Sequence, residues 1–177
     1  MLPPPRSQTS IDRLYASATT PDGAVSASIT DRVHVQVRMM PDYYEQASAT
    51  DLERQLSRLG RLLFAARMKE YYKVRSEDFG ELVTREPSPL GRQDEEYVER
   101  RSRLVATGEA ADGRVRISVV GMEQWGVQIA QDAPRTMSEE SFCKAVSDAA
   151  TLLVTEQFAE VRMLKREVYG GMESPTA

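Results

Sequence analysis

The chain has 177 residues, 41% of them hydrophobic and 28% charged, with a formal net charge of −4 and a pI near 5.2. That length buries one ordinary core, or two small ones sharing an interface. The acidic balance excludes wholesale attraction to nucleic acid or an anionic membrane and leaves only a local basic face for such a partner. One cysteine and one histidine exclude an intramolecular disulfide, a Cys/His metal cluster and a Ser-His-Asp arrangement beyond a single pairing. No apolar run approaches the roughly 18 residues of a membrane span, and the N-terminus lacks the apolar core of a signal peptide. The expectation is a cytoplasmic protein with no membrane segment.

Residues 1–10 hold three consecutive prolines followed by polar residues, a composition that buries little and predicts a mobile tail. From Ile11 to Ala18 the pattern turns strand-like. Pro21-Asp22-Gly23 then supplies turn chemistry, proline presetting φ and glycine permitting a positive one. A second strand follows at Val25–Ile29 and a third at Val33–Met39, where period-two alternation puts Val33, Val35, Val37 and Met39 on one face. His34, Gln36 and Arg38 fall on the other, so the sheet has one buried and one wet side.

Thr50-Asp51-Leu52-Glu53 reads as a capping box. The helix it opens carries Leu52, Leu56, Leu59, Leu63 and Ala66 as an apolar stripe and runs to about Arg75. Gly60 lies beside the stripe and admits the close approach of another backbone. Thr84 to Gln93, with two prolines and a glycine, marks a linker. A short charged helix is expected over Asp94–Arg103, then strands at Leu104–Glu109, Val115–Val120 and Trp125–Gln131. Ser138 caps a last helix whose apolar face comprises Phe142, Val146, Ala149, Leu153, Val161 and Leu164. It reaches about Tyr169, before Gly170-Gly171. A helix of about thirty residues is roughly 45 Å long, and its far end would project beyond a three-stranded sheet unless something covers it.

Part of the chain is written twice. Arg13, Leu14, Ala16, Asp22, Gly23, Val25 and Ser28 return as Arg103, Leu104, Ala106, Asp112, Gly113, Val115 and Ser118, at a constant offset of 90, which identifies a duplicated unit. At the third strand the offset reads as 92, Val127 and Ile129 taking the places of Val35 and Val37. Two extra hairpin residues are then expected around Gly121-Met122-Glu123-Gln124. The organisation expected is a first unit at 11–83, a linker at 84–93, a second unit at 94–171 and a short tail at 172–177.

Side chains that could carry chemistry are few. His34 falls on the outward side of its strand. Cys143, near a helix N-terminus, is either a bystander or a thiol of lowered pKa. Trp125 anchors either the core or an interface, and Tyr43-Tyr44 and Tyr71-Tyr72 either pack or stack on a ligand. Glu95-Glu96 and Glu139-Glu140 are neighbours in sequence rather than on one face, so no general acid/base pair is formed. No phosphate loop, nucleophile elbow or metal signature occurs, and no cofactor or catalytic activity is expected. The densest positive charge lies in the first long helix at Arg54, Arg58, Arg61, Arg67, Lys69, Lys73 and Arg75, with Arg162, Lys165 and Arg166 in the last helix. Arg54, Arg58 and Arg61 share one face at 100° per residue, the arrangement that neutralises successive phosphates, while Glu53, Glu70, Glu77 and Asp78 interrupt the positive pattern and leave a plain solvated helix surface as the other reading.

The order of three short antiparallel strands, a polar connection and a capped long helix resembles the YbaB/EbfC family of small nucleoid-associated proteins. The D-G-x-V-x-x-S core at Asp22–Ser28 and Asp112–Ser118 supports that likeness, which covers about 65 residues of each copy. The resemblance implies an α+β fold of two βββα repeats forming an intramolecular pseudo-dimer. It implies a non-enzymatic partner of double-stranded DNA, a nucleoid location and homodimer formation, and the charge pattern of the first long helix offers Arg54, Arg58, Arg61, Arg67, Lys69 and Lys73 as the contacting set. Proteins of actinobacterial type VII secretion loci also look like this fold, and that likeness implies instead an adaptor or chaperone that binds a protein partner.

Overall fold

The computed structural model describes residues 11–170, so both expected tails lie outside the described residues. The fold is α+β. Strands β1 (Ala16–Thr19), β2 (Val25–Thr30) and β3 (His34–Met39) lead into a short helix α1 (Tyr43–Gln46) and the long α2 (Ala49–Phe79). Helix α3 (Arg92–Ser102) precedes β4 (Val105–Ala110), β5 (Val115–Val120), β6 (Gln124–Ile129), α4 (Ala133–Thr136) and the long α5 (Glu139–Tyr169). The strands make two antiparallel sheets of order β1-β2-β3 and β4-β5-β6.

From β2 to α2 each element has a counterpart 90 residues later: Val25 and Val115, His34 and Gln124, Tyr43 and Ala133, Ala49 and Glu139 each begin matching elements. The expected shift to 92 is corrected. Both inner hairpins close around three residues, Thr30 pairing with His34 and Val120 with Gln124. Two left-handed residues shape each turn, Asp31 and Arg32 (φ 48° and 69°) in one and Gly121 and Met122 (φ 58° and 64°) in the other. Turn geometry sets register, so Trp125 takes the place of Val35, and Val127 that of Val37. Apolar alternation could not decide this, because Val33-Val35-Val37 and Trp125-Val127-Ile129 are equally good strand triplets.

The first strand is shorter than expected. Ile11 and Asp12 are helical, and the Leu14 amide donates to the Ile11 carbonyl at 3.2 Å, so pairing begins only at Ala16. Thr20 then closes the first hairpin. Buried at 2% exposure, its hydroxyl accepts from the Val25 amide at 3.1 Å and donates to Asp22 at 2.7 Å. Asp22 in turn accepts from the Ala24 amide and from Gln55 on α2, docking the turn against that helix.

Helix α2 is capped two residues earlier than expected. Ser48 is the N-cap, accepting from the Asp51 amide at 3.1 Å while Asp51 receives the Ser48 amide at 3.2 Å. Glu53, expected to reach back to Thr50, instead accepts from the Ile129 amide at 2.8 Å. Two capping boxes overlap in this sequence, and the one whose carboxylate is not drawn to another element forms.

Each long helix covers strands of both sheets, α2 packing on β1, β2 and β6 and α5 on β4, β5 and β3. Buried residues from both sheets and both helices therefore form one continuous core, with Val25, Leu52, Val115, Val119, Ala149 and Phe142 fully enclosed. At Gly108 the α5 backbone lies directly on β4, where a Cβ would stand 1.7 Å from the Ala149 carbonyl oxygen. Tyr44 ties the halves further, its ring 5.0 Å from Phe142 and its hydroxyl 3.1 Å from the carbonyls of Ala133 and Met137.

A ladder of small polar side chains on α5 satisfies the free edge of β3. Thr151 accepts from the Val35 amide at 3.1 Å and Ser147 from the Val37 amide at 2.9 Å. The Cys143 thiol meets the Met39 amide. Four helical residues advance about 6 Å and two strand residues about 6.6 Å, so the two rows stay in step. On the opposite side Glu53 makes the corresponding bond to Ile129. An edge strand so covered is not offered to another chain.

The far ends of the helices differ. Leu164 and Val168 of α5 are buried against Tyr97 of α3 and Leu104, whereas no residue of α2 beyond Leu59 is fully buried. Among the described residues no helix is long and apolar enough to cross a membrane.

Candidate nucleic-acid interface

Helix α2 divides its charges by face. Arg54, Arg58, Arg61, Lys69 and Lys73 are all exposed and fall within about 120° of arc at 100° per residue. The row from residue 54 to residue 73 extends about 28 Å at 1.5 Å per residue. One carboxylate shares the arc, Asp51, and it is occupied by Arg54 and by the Ser48 cap. The Ser48 hydroxyl and amide hold its carboxyl below the usual aspartate value. Glu53 is drawn away to Ile129. Among the described residues Arg58, Arg61, Lys69 and Lys73 make no ion pair.

Beside the start of this row lies an open polar depression of about 460 Å³, lined by Tyr43, Gln46, Ala47, Asp51, Arg54, Gln55 and Arg58. Tyr43 is half-buried there, and burial raises the pKa of its hydroxyl. The depression extends the basic face toward α1, an element hidden from sequence reading because Tyr43–Gln46 forms a single turn with no apolar period.

Arg67 does not belong to this row. It turns toward the core side of α2, where its guanidinium stands 4.9 Å from the centre of the Phe158 ring. Burial, helped by the nearby Arg32, lowers its pKa to about 10. The expected set of six is thus five on one exposed face and one elsewhere. Simple helical angles separate them, since residue 67 lies with Leu56 and Leu63 rather than with Arg54.

Of the remaining candidates, His34 is exposed on β3. Tyr71 and Tyr72 pack edge-on at 5.5 Å. Burial pushes the Cys143 thiol up to about 11, with Glu139 adding in the same direction, the opposite of an activated nucleophile. The backbone approach expected at Gly60 is corrected: the Trp125 indole fills that gap. No local pattern signals this pairing, because it joins residues of different halves. Among the described residues no cluster of His, Cys, Asp or Glu could hold a metal ion.

Comparison with known proteins gave no match to any family model, to any curated protein or to any solved structure.

Proposed function

We propose that this chain is a YbaB-like, non-enzymatic protein that binds double-stranded DNA through its backbone, with little sequence preference, and that its two βββα halves pair as an intramolecular pseudo-dimer. The carrying observation is the exposed cationic row Arg54, Arg58, Arg61, Lys69 and Lys73. Asp51, the carboxylate within its arc, is already paired, and Glu53 is withdrawn to the Ile129 amide. Duplex DNA presents one charge per about 1.7 Å of axis, so a straight row about 28 Å long meets several phosphates without reading bases. Guanidinium groups suit this task because their planar donors grip phosphate oxygens in pairs.

The pseudo-dimer is supported by the constant 90-residue step between elements and by the crossing of each long helix onto the edge strand of the other half. The net charge of −4 is compatible with this function because screening confines attraction to about 8 Å at physiological salt, so the local face decides.

A mobility shift with random duplex DNA at about 50 mM salt tests the reading directly. Retardation that Arg58→Glu with Arg61→Glu abolishes, in a variant that melts normally, supports it. Absence of retardation by the unmodified chain sinks it. A protein-binding adaptor or chaperone is the second reading, favoured by Phe79, Leu82 and Leu90 beyond the covered part of α2, which are 58%, 85% and 93% exposed. Large apolar side chains left in solvent are a feature of partner surfaces where they adjoin.

A further inference from the structure

Where the two sheets and two long helices meet, packing is incomplete. An apolar cavity of about 70 Å³ lies between Ile29 and Val35 of one sheet, Trp125 of the other, Leu63 of α2 and Leu153 of α5. It exceeds the 10–15 Å³ that one water needs, yet offers water almost no polar partner. Arg67 stands at its rim. Among the described residues no carboxylate lies within ion-pairing distance of this guanidinium. Arg32 approaches the same Phe158 ring, also at 4.9 Å, from a turn in which it holds the left-handed conformation at φ 69°. Asp12 pairs with Arg32 at 3.2 Å, which leaves Arg67 as the one of the two cations at this ring without an anion among the described residues.

We propose that this cavity is a binding site for a small amphipathic monoanion, a short-chain acyl carboxylate whose tail enters between the sheets and whose carboxylate pairs with Arg67. A desolvated cation with aromatic support alone gains most from a charge-assisted, two-pronged hydrogen bond to a carboxylate. The apolar walls favour a tail over water. The volume, well short of the 150 Å³ that admits benzene in an engineered core, selects a tail of a few carbons over a long acyl chain. The lowered pKa of Arg67 is consistent with a guanidinium kept from water and from acids. This site is separate from the exposed face of α2 and does not depend on the DNA reading.

Trp125 lines the cavity and is the single tryptophan of the chain, so its fluorescence reports occupancy. Titration of the full chain with sodium hexanoate, sodium acetate and 1-hexanol separates the contributions of tail and charge. The expected result is a saturable change with hexanoate and binding at least about tenfold weaker for acetate and for hexanol. Arg67→Gln weakens hexanoate by at least about tenfold and Arg67→Lys by less, with hexanol unaffected by either. Absence of a saturable hexanoate signal overturns the proposal, as does equal binding of acetate or hexanol. The three-probe comparison uses the unmodified protein, so it decides even if Arg67→Gln fails to fold; a folded Arg67→Gln that binds hexanoate normally also overturns it.

Discussion

Trp125 lies flat against Gly60: a Cβ added at that glycine would stand 2.7 Å from Cε3 and 2.9 Å from Cδ2 of the indole. The contact joins β6 of one half to α2 of the other and forms one wall of the apolar cavity. In an exposed helix Gly→Ala stabilises by about 1 kcal/mol. Here the added methyl must displace an aromatic ring within a packed core, an overpacking cost of typically about 1–3 kcal/mol. Gly60→Ala is therefore expected to destabilise the chain in urea, and Trp125→Leu in the same molecule to recover most of the loss. A stabilised Gly60→Ala would show that the ring moves aside freely.

The polar ladder on α5 gives a second expectation. Ser147 and Thr151 satisfy the Val37 and Val35 amides at the edge of β3. Removing the acceptors leaves two part-buried donors without partners, each costing about 1–3 kcal/mol. Ser147→Ala with Thr151→Val should lower the urea midpoint with little change of slope and speed hydrogen exchange at the Val35 and Val37 amides. Unchanged exchange at those two amides would contradict the ladder.

Acid should weaken the fold. Asp22 is held below the ordinary aspartate value of 3.8, chiefly by the Thr20 hydroxyl and then by the Ala24 amide. Arg114 lowers Asp132, and the Leu90 amide lowers Asp94. A carboxyl whose folded pKa is depressed adds stability that is fully present above its unfolded value and disappears as pH falls through the folded one. Stability from these groups should be flat between about pH 6 and 8 and decline below about pH 4. Asp22→Asn should make that decline shallower. A chemical-denaturation series from pH 7 to 3 in which Asp22→Asn and the parent chain run parallel would rule out this role for Asp22.

Much of this arrangement is local and could be read from the sequence. The period-two alternation placed Val35 and Val37 inside and His34, Gln36 and Arg38 outside, as the exposure of β3 shows. The N-cap at Ser138 and the end of α5 at Tyr169 also follow from short-range chemistry. What escaped depends on contacts between residues far apart. Glu53 left its expected capping role because the Ile129 amide, unsatisfied at a sheet edge, offered it a partner. The register of β6 was misplaced because turn length, rather than apolar pattern, fixes which valine faces which. Arg67 separates from Arg54, Arg58 and Arg61 by helical angle alone, but its place beside Phe158 depends on where the fold sets that residue of α5.

The central claim is that the outer face of α2 neutralises DNA phosphates, and the salt dependence of binding tests it most directly. Affinity for a random duplex, followed by fluorescence anisotropy between about 50 and 200 mM salt, should fall with a log–log slope near −0.9 per phosphate contact. With four or five of the exposed cations engaged, that slope is about −4, a loss of a few hundredfold over the range. Arg58→Gln with Arg61→Gln should bring it to about −2, equally for duplexes of unrelated sequence. A slope shallower than about −1, or one that the two substitutions leave unchanged, would contradict the assignment of this face.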